Sequence, residues 1–130
     1  MAGTFTFELV TPERLVMSED AQSAVVPGME GQFTVLANHA PVISTLRPGV
    51  LEVALSDART MRLFVKGGFV EVDAESLTVL AERALDLAAI DKATLQEELE
   101  VAEAELAQAH DDATRLTANA AVEQLKVLAR

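Results

Sequence analysis

The stretch Leu77-Thr-Val-Leu-Ala-Glu-Arg-Ala-Leu-Asp86, running into Leu87-Ala-Ala-Ile-Asp-Lys-Ala-Thr-Leu-Gln-Glu-Glu-Leu99, joins two regions of different hydrophobic period. Upstream, from Thr4 to about Ala81, the chain reads as short strands between turns. Phe5, Phe7 and Leu9 alternate with Thr4, Thr6 and Glu8, the period-two pattern of a half-buried strand. Turn residues then recur at Thr11-Pro12, Pro27-Gly28, Gly31, Pro48-Gly49, Ser56-Asp57, Gly67-Gly68 and Asp73-Ala74. Between them lie Ala24–Val26, Gln32–Leu36, Val42–Leu46, Val50–Leu55, Met61–Val65, Phe69–Val72 and Leu77–Leu80, all rich in Val, Leu, Ile or Phe. Many short strands at this spacing predict an antiparallel sandwich or flattened barrel, not alternating β-α units.

Downstream the composition changes. Residues 87–130 hold no Gly, Pro or Phe and are dominated by Ala, Leu, Glu and Gln, which favour helix. Leu95, Leu99, Ala102, Leu106 and Ala109 form one apolar stripe, with Asp91 placed to cap the helix and Glu97, Glu98 and Glu100 near its positive end. His110-Asp111-Asp112 interrupts the pattern, and either Asp can cap a second helix. Its stripe is Ala118, Val122, Leu125 and Ala129, with Ala121 and Leu128 beside it. The short connection predicts an antiparallel hairpin. Ala-lined seams bury little area, at roughly 25 cal/mol per Å², so the hairpin is expected to be held less firmly than the strands. The fold expected is therefore mainly β plus α: a β-sandwich or flattened barrel over residues 1–86, then a two-helix hairpin over 87–130.

Composition removes several functions. The 130 residues carry a formal net charge of −11, which opposes binding to nucleic-acid phosphates and to anionic lipid. Cysteine is absent, excluding disulfides and thiolate chemistry, and Trp and Tyr are absent, leaving few stacking surfaces. No apolar run approaches the length of a membrane span, and Met1-Ala-Gly-Thr-Phe-Thr-Phe7 lacks the basic and apolar regions of a signal peptide.

No catalytic constellation stands out. The histidines, His39 and His110, lack the companion ligands that a zinc site needs. The serines have no nucleophile-elbow context, and Lys66-Gly67-Gly68 lacks the order of a phosphate loop, so it reads as a tight turn or bulge. His39, beside Asn38 and Ala40-Pro41, reads as a loop residue bonded to the backbone, with Asn38 in a left-handed position. Pro27-Gly-Met-Glu-Gly31 is either an ordinary hairpin turn or a protein contact through an exposed Met29. No catalytic residue, metal ligand or cofactor is expected.

Three blocks together carry a resemblance. Pro27-Gly-Met-Glu-Gly-Gln-Phe-Thr-Val-Leu-Ala-Asn-His-Ala-Pro41 with Leu46-Arg-Pro-Gly-Val-Leu51, Lys66-Gly-Gly-Phe-Val-Glu-Val72 with Leu77-Thr-Val-Leu-Ala81, and Phe7-Glu-Leu-Val-Thr-Pro-Glu13 resemble the epsilon subunits of F-type ATP synthases. They stand in that family's order and spacing, and the resemblance spans essentially the whole chain. It implies a non-catalytic, proton-driven rotor subunit of the central stalk, bound to the gamma subunit and resting on the ring of c subunits. Its place would be peripheral, at the cytoplasmic face of a bacterial inner membrane. Met29, Glu30, Gly31 and Gln32 would face the c-ring, and His39 and Pro41 would lie near gamma. The hairpin would reach the alpha and beta subunits. ATP-binding relatives carry Ile/Leu-Asp-x-x-Arg-Ala where this chain reads Ile90-Asp91-Lys-Ala-Thr94-Leu95, so Thr94 replaces a phosphate-facing Arg. The second helix has only Arg115, Lys126 and Arg130 as cations, few against an acidic partner segment. The resemblance therefore implies weak or absent ATP sensing and inhibition. The competing expectations are a free-standing β-sandwich adaptor with a helical arm, and a small β-domain enzyme.

Overall fold

The computed structural model describes residues 3–130, so Met1 and Ala2, on which part of the N-terminal reading rests, lie outside the described residues. The chain divides into two compact units between Ala88 and Ala89.

Strands make up the first unit: β1 Phe5–Thr11, β2 Arg14–Gly28, β3 Gly31–Leu36, β4 Val42–Thr45, β5 Gly49–Leu55, β6 Thr60–Val72 and β7 Ser76–Asp86. They follow the order β1-β7-β6-β5-β2-β3, and β1 also pairs with β2, which closes a ring of β1, β2, β5, β6 and β7. A ring with an odd number of members cannot alternate direction all the way round. One pairing must be parallel, and it is β1 with β7. The expected sandwich or flattened barrel is thus present, antiparallel except at this closure. β3 and β4 are appended at the ring, on β2 and β6 respectively.

Two strands differ from the sequence reading. β2 begins at Arg14, not Ala24, because Arg14–Ala21 pairs with β1 although it carries Ser18, Glu19 and Asp20. The apolar run of this segment is only Leu15-Val16-Met17, with Leu15 and Val16 exposed, before the polar Ser18-Glu-Asp20. β6 continues through Lys66-Gly67-Gly68 with neither turn nor bulge: Lys66 faces Arg83 and Gly68 faces Ala81 in one register. The strand bends there instead, passing from a pairing with β5 (Gly49–Val65) to one with β4 (Thr45–Phe69). Gly67 and Gly68 adopt φ of 70° and 103°, and a Cβ on Gly68 would lie 1.8 Å from the Leu80 carbonyl oxygen. Only glycine permits that approach.

The ring encloses Phe5, Phe7 and Leu9 of β1, Leu51, Val53 and Leu55 of β5, Val70 and Val72 of β6, and Leu77 and Val79 of β7, all buried. Each such side chain contributes about 1.5–3 kcal/mol by leaving water. Among the described residues no polar or charged side chain is buried, so the core bears no desolvation cost for them.

The second unit consists of α1 Lys92–Ala107 and α2 Asp112–Leu128, packed against each other across a four-residue link. Asp91 and Asp111 are the N-caps, accepting from the Thr94 and Thr114 N–H groups at 2.8 and 2.7 Å. The first turn of α1 contains no acidic residue, because Glu97 falls one turn too late. The cap alone faces the helix dipole there. Leu95, Leu99 and Ala102 of α1 are buried, as are Ala118, Ala121, Val122 and Leu125 of α2. The Ala positions keep the helix axes close and the buried area small.

Candidate functional site

The hairpin tip Met29-Glu30 joins β2 to β3, with Gly28 facing Gly31 in the ladder. Gly31 has a φ of 144°, which an L side chain rarely adopts, and this lets β3 leave the tip directly. Pro27–Gly31 forms the hairpin turn, and Met29 at its tip is 44% exposed.

Backbone bonds hold the tip against β4. The Met29 N–H donates to the Thr45 carbonyl (2.8 Å), and the Arg47 N–H donates to the Pro27 carbonyl (3.0 Å). Between tip and strand lies a cleft of about 570 Å³, lined by Met29–Phe33 and Val42–Thr45. It brings together Met29, Glu30, Gly31 and Gln32. His39 approaches this cleft through Phe33, their rings 6.4 Å apart and tilted by 39°. The Nδ1–H of His39 donates to the Ala40 carbonyl at 2.7 Å, and Asn38 before it has a φ of 66°. That loop is further anchored by the Asn38 N–H, which donates to the Ala74 carbonyl (2.9 Å). Pro41 immediately precedes β4.

Ile43 lines this cleft and is 75% exposed, more than any other large apolar side chain among the described residues. Sequence reasoning missed it. Val42–Leu46 was legible as a strand, but a run of β-branched residues does not say which face is wet. From β4, an outward row continues across the sheet: Thr45 faces Phe69, Phe69 faces Leu80, and Leu80 faces Val10. Phe69 is 41% exposed, so an apolar surface flanks the cleft.

Ile90, Asp91 and Thr94 belong to the helical unit. The Asp91 carboxylate is occupied as a cap, and its pKa is lowered by the Thr94 N–H and then the Thr94 hydroxyl. Asp111 is lowered in the same way by Thr114. Asp73 is lowered by the N–H groups of Glu75 and Ser76 at the β6–β7 turn.

Among the described residues, no three His, Asp or Glu side chains gather to hold a metal ion, and no helix is long and apolar enough to cross a membrane. The cleft has an apolar rim formed by Met29 and Ile43.

Residues 4–86 match the family model for the ATP synthase delta/epsilon chain, beta-sandwich domain. The chain is 44% identical over 128 residues to the ATP synthase epsilon chain of Parvibaculum lavamentivorans, covering 98% of this chain and 97% of that one. It is 42% identical to that of Mesorhizobium japonicum, covering 98% and 95%. Among solved structures, a chain of the Euglena gracilis mitochondrial ATP synthase (OSCP/F1/c-ring) superposes with a TM-score of 0.72 at 27% identity, covering 96% of this chain and 79% of that one. A chain of the Tetrahymena thermophila mitochondrial central stalk/c-ring structure shares the fold, with a TM-score of 0.66 at 15% identity, covering 99% and 98%.

Proposed function

Because this chain belongs to the ATP synthase delta/epsilon family, we propose that it is a non-catalytic subunit of the rotating central stalk of a proton-driven F-type ATP synthase. It binds the gamma subunit and the c-ring, and passes rotation between them. The observation that carries this reading is the match to epsilon chains along 98% of the chain, strands and helices together. The cleft supports it locally: Met29 and Ile43 expose apolar surface at one rim of a unit whose core is otherwise closed. The Met29–Gln32 tip would meet the c-ring, and the His39–Pro41 loop would lie near gamma.

The helical unit offers the complex little regulation. Thr94 lacks the guanidinium that would grip a phosphate, and Asp91 already serves its own helix. Contacts to alpha and beta through this hairpin are correspondingly weak. Attachment to the cytoplasmic face of a bacterial inner membrane is indirect, through the other subunits.

The test is a pull-down of tagged chain from its native membranes, read by mass spectrometry. Recovery of gamma and c subunits is expected. Recovery of unrelated proteins in their place would make the chain a free-standing adaptor and sink the proposal.

A further inference from the structure

We propose that the open edge of β4 receives an extended strand of a partner polypeptide, held by main-chain hydrogen bonds to Ile43 and flanked by cationic side chains. This deepens the reading above and rests on the hairpin tip being a protein contact.

The ladder between β4 and β6 fixes which groups are free. The Thr45 carbonyl points away from β6, because it accepts the Met29 N–H, while the Leu46 N–H donates back to Gly68 of β6. In an antiparallel ladder successive residues alternate between facing the partner and facing away. Val42 and Ser44 therefore bond with β6, and Ile43 turns both its N–H and its carbonyl outward. Neither group meets a partner among the described residues. All of Val42, Ile43, Ser44 and Thr45 line the cleft, although their side chains alternate between faces. The cleft thus runs along the strand's edge.

Such edges normally carry a Lys, a Pro or a bulge that prevents another chain from pairing. Val42-Ile-Ser-Thr45 itself has none of these, the nearest being Pro41 just before the strand, and Gly31-Gln-Phe-Thr-Val-Leu36 across the cleft has no charged residue. Exposed Ile43 and Met29 would cover the apolar side chains of an added strand.

Charge decides the occupant. A second copy of a chain with a net charge of −11 would meet strong repulsion. Glu30 lines the cleft at its tip end, and the chain as a whole is acidic. A strand with terminal Lys or Arg complements that charge.

The probe is the peptide Lys-Val-Thr-Val-Thr-Val-Lys, titrated into the isotope-labelled full chain and followed by NMR. Saturable shifts are expected at the Ile43 amide and its β4 neighbours. The same peptide with its central valine N-methylated keeps every side chain and should bind about tenfold more weakly. In the chain itself, Ile43→Pro deletes the edge N–H while sparing the bonds to β6, a position where an edge strand accepts proline. It should abolish the shifts, whereas Ile43→Ala should retain them. Equal binding of the methylated peptide, or no shift on β4 at millimolar peptide, would overturn the proposal even if Ile43→Pro failed to fold. Co-purification from membranes separates the two readings. If Ile43→Pro recovers partners normally while Met29→Ala does not, strand pairing falls and the tip contact stands. If neither matters, both fall.

Discussion

The main-chain N–H of Met29 donates to the Thr45 carbonyl at 2.8 Å, so the hairpin tip is tied to β4 without using its own side chain. The thioether is left 44% exposed. Met29→Ala should therefore change the chain's unfolding free energy by no more than about 0.5 kcal/mol. Recovery of gamma or the c-ring should drop instead. Parallel loss of stability and recovery would assign Met29 to the core and remove it from the interface.

Gly68 predicts a large effect on stability from a position that carries no side chain. A Cβ there collides with the Leu80 carbonyl oxygen at 1.8 Å, and the φ of 103° strains any L side chain. Gly68→Ala should cost more than about 2 kcal/mol in chemical denaturation, through backbone incompatibility. A cost under about 1 kcal/mol would mean that β6 does not bend where described.

The β unit should fold alone when the chain ends at Ala88. Leu87 and Ala88 belong with it, since the Leu87 N–H donates to the Arg62 carbonyl (3.0 Å) and the Ala88 N–H to the Asp86 carboxylate (3.0 Å). Every Phe lies within it. A cooperative melt with a β-type circular dichroism spectrum is expected. An insoluble or molten product would make the helices part of its core.

Acid should loosen turns and caps before the core. Asp57, Asp73, Asp91 and Asp111 all have pKa values below the ordinary 3.8, held down mainly by hydrogen bonds from Arg59, from the Glu75 and Ser76 N–H groups, and from Thr94 and Thr114. A lowered folded-state pKa stabilises the fold above the unfolded value, and that stability is lost as pH falls through the folded value. Melting temperature should thus be insensitive to these groups at neutral pH and fall below about pH 4. Asp91→Asn keeps a capping side chain but cannot titrate, so it should flatten part of that acid limb. An unchanged limb would show that the cap is not coupled to stability.

Isothermal titration with MgATP should give no saturable heat at micromolar concentrations. Thr94 supplies no charge, and losing one charge-assisted hydrogen bond removes about 1.5–3 kcal/mol, roughly ten- to more than hundredfold in affinity. Tight binding would restore a regulatory role to the hairpin.

Local chemistry alone determined much of this protein. Alternation at Phe5, Phe7 and Leu9 placed β1 in the core, Asp91 capped its helix as its position implied, and of the two candidates for the second cap the structure uses Asp111. The absence of Gly and Pro after Gly68 and Pro48 marked out the helical region, because both residues act on the backbone of their own neighbourhood. Tertiary structure decided the rest. Arg14–Ala21, with its polar Ser18-Glu-Asp20, carries no clear strand signal, and becomes a strand because β1 offers it a ladder of backbone partners. Ring closure forced β1 and β7 to run parallel, a constraint that no single segment expresses. The exposure of Ile43 likewise depended on the register of β4 against β6, which sets the face that is turned to water, and on where the Met29 tip stopped. Those are long-range pairings, set by contacts between residues far apart in the chain, and the local sequence carries no record of them.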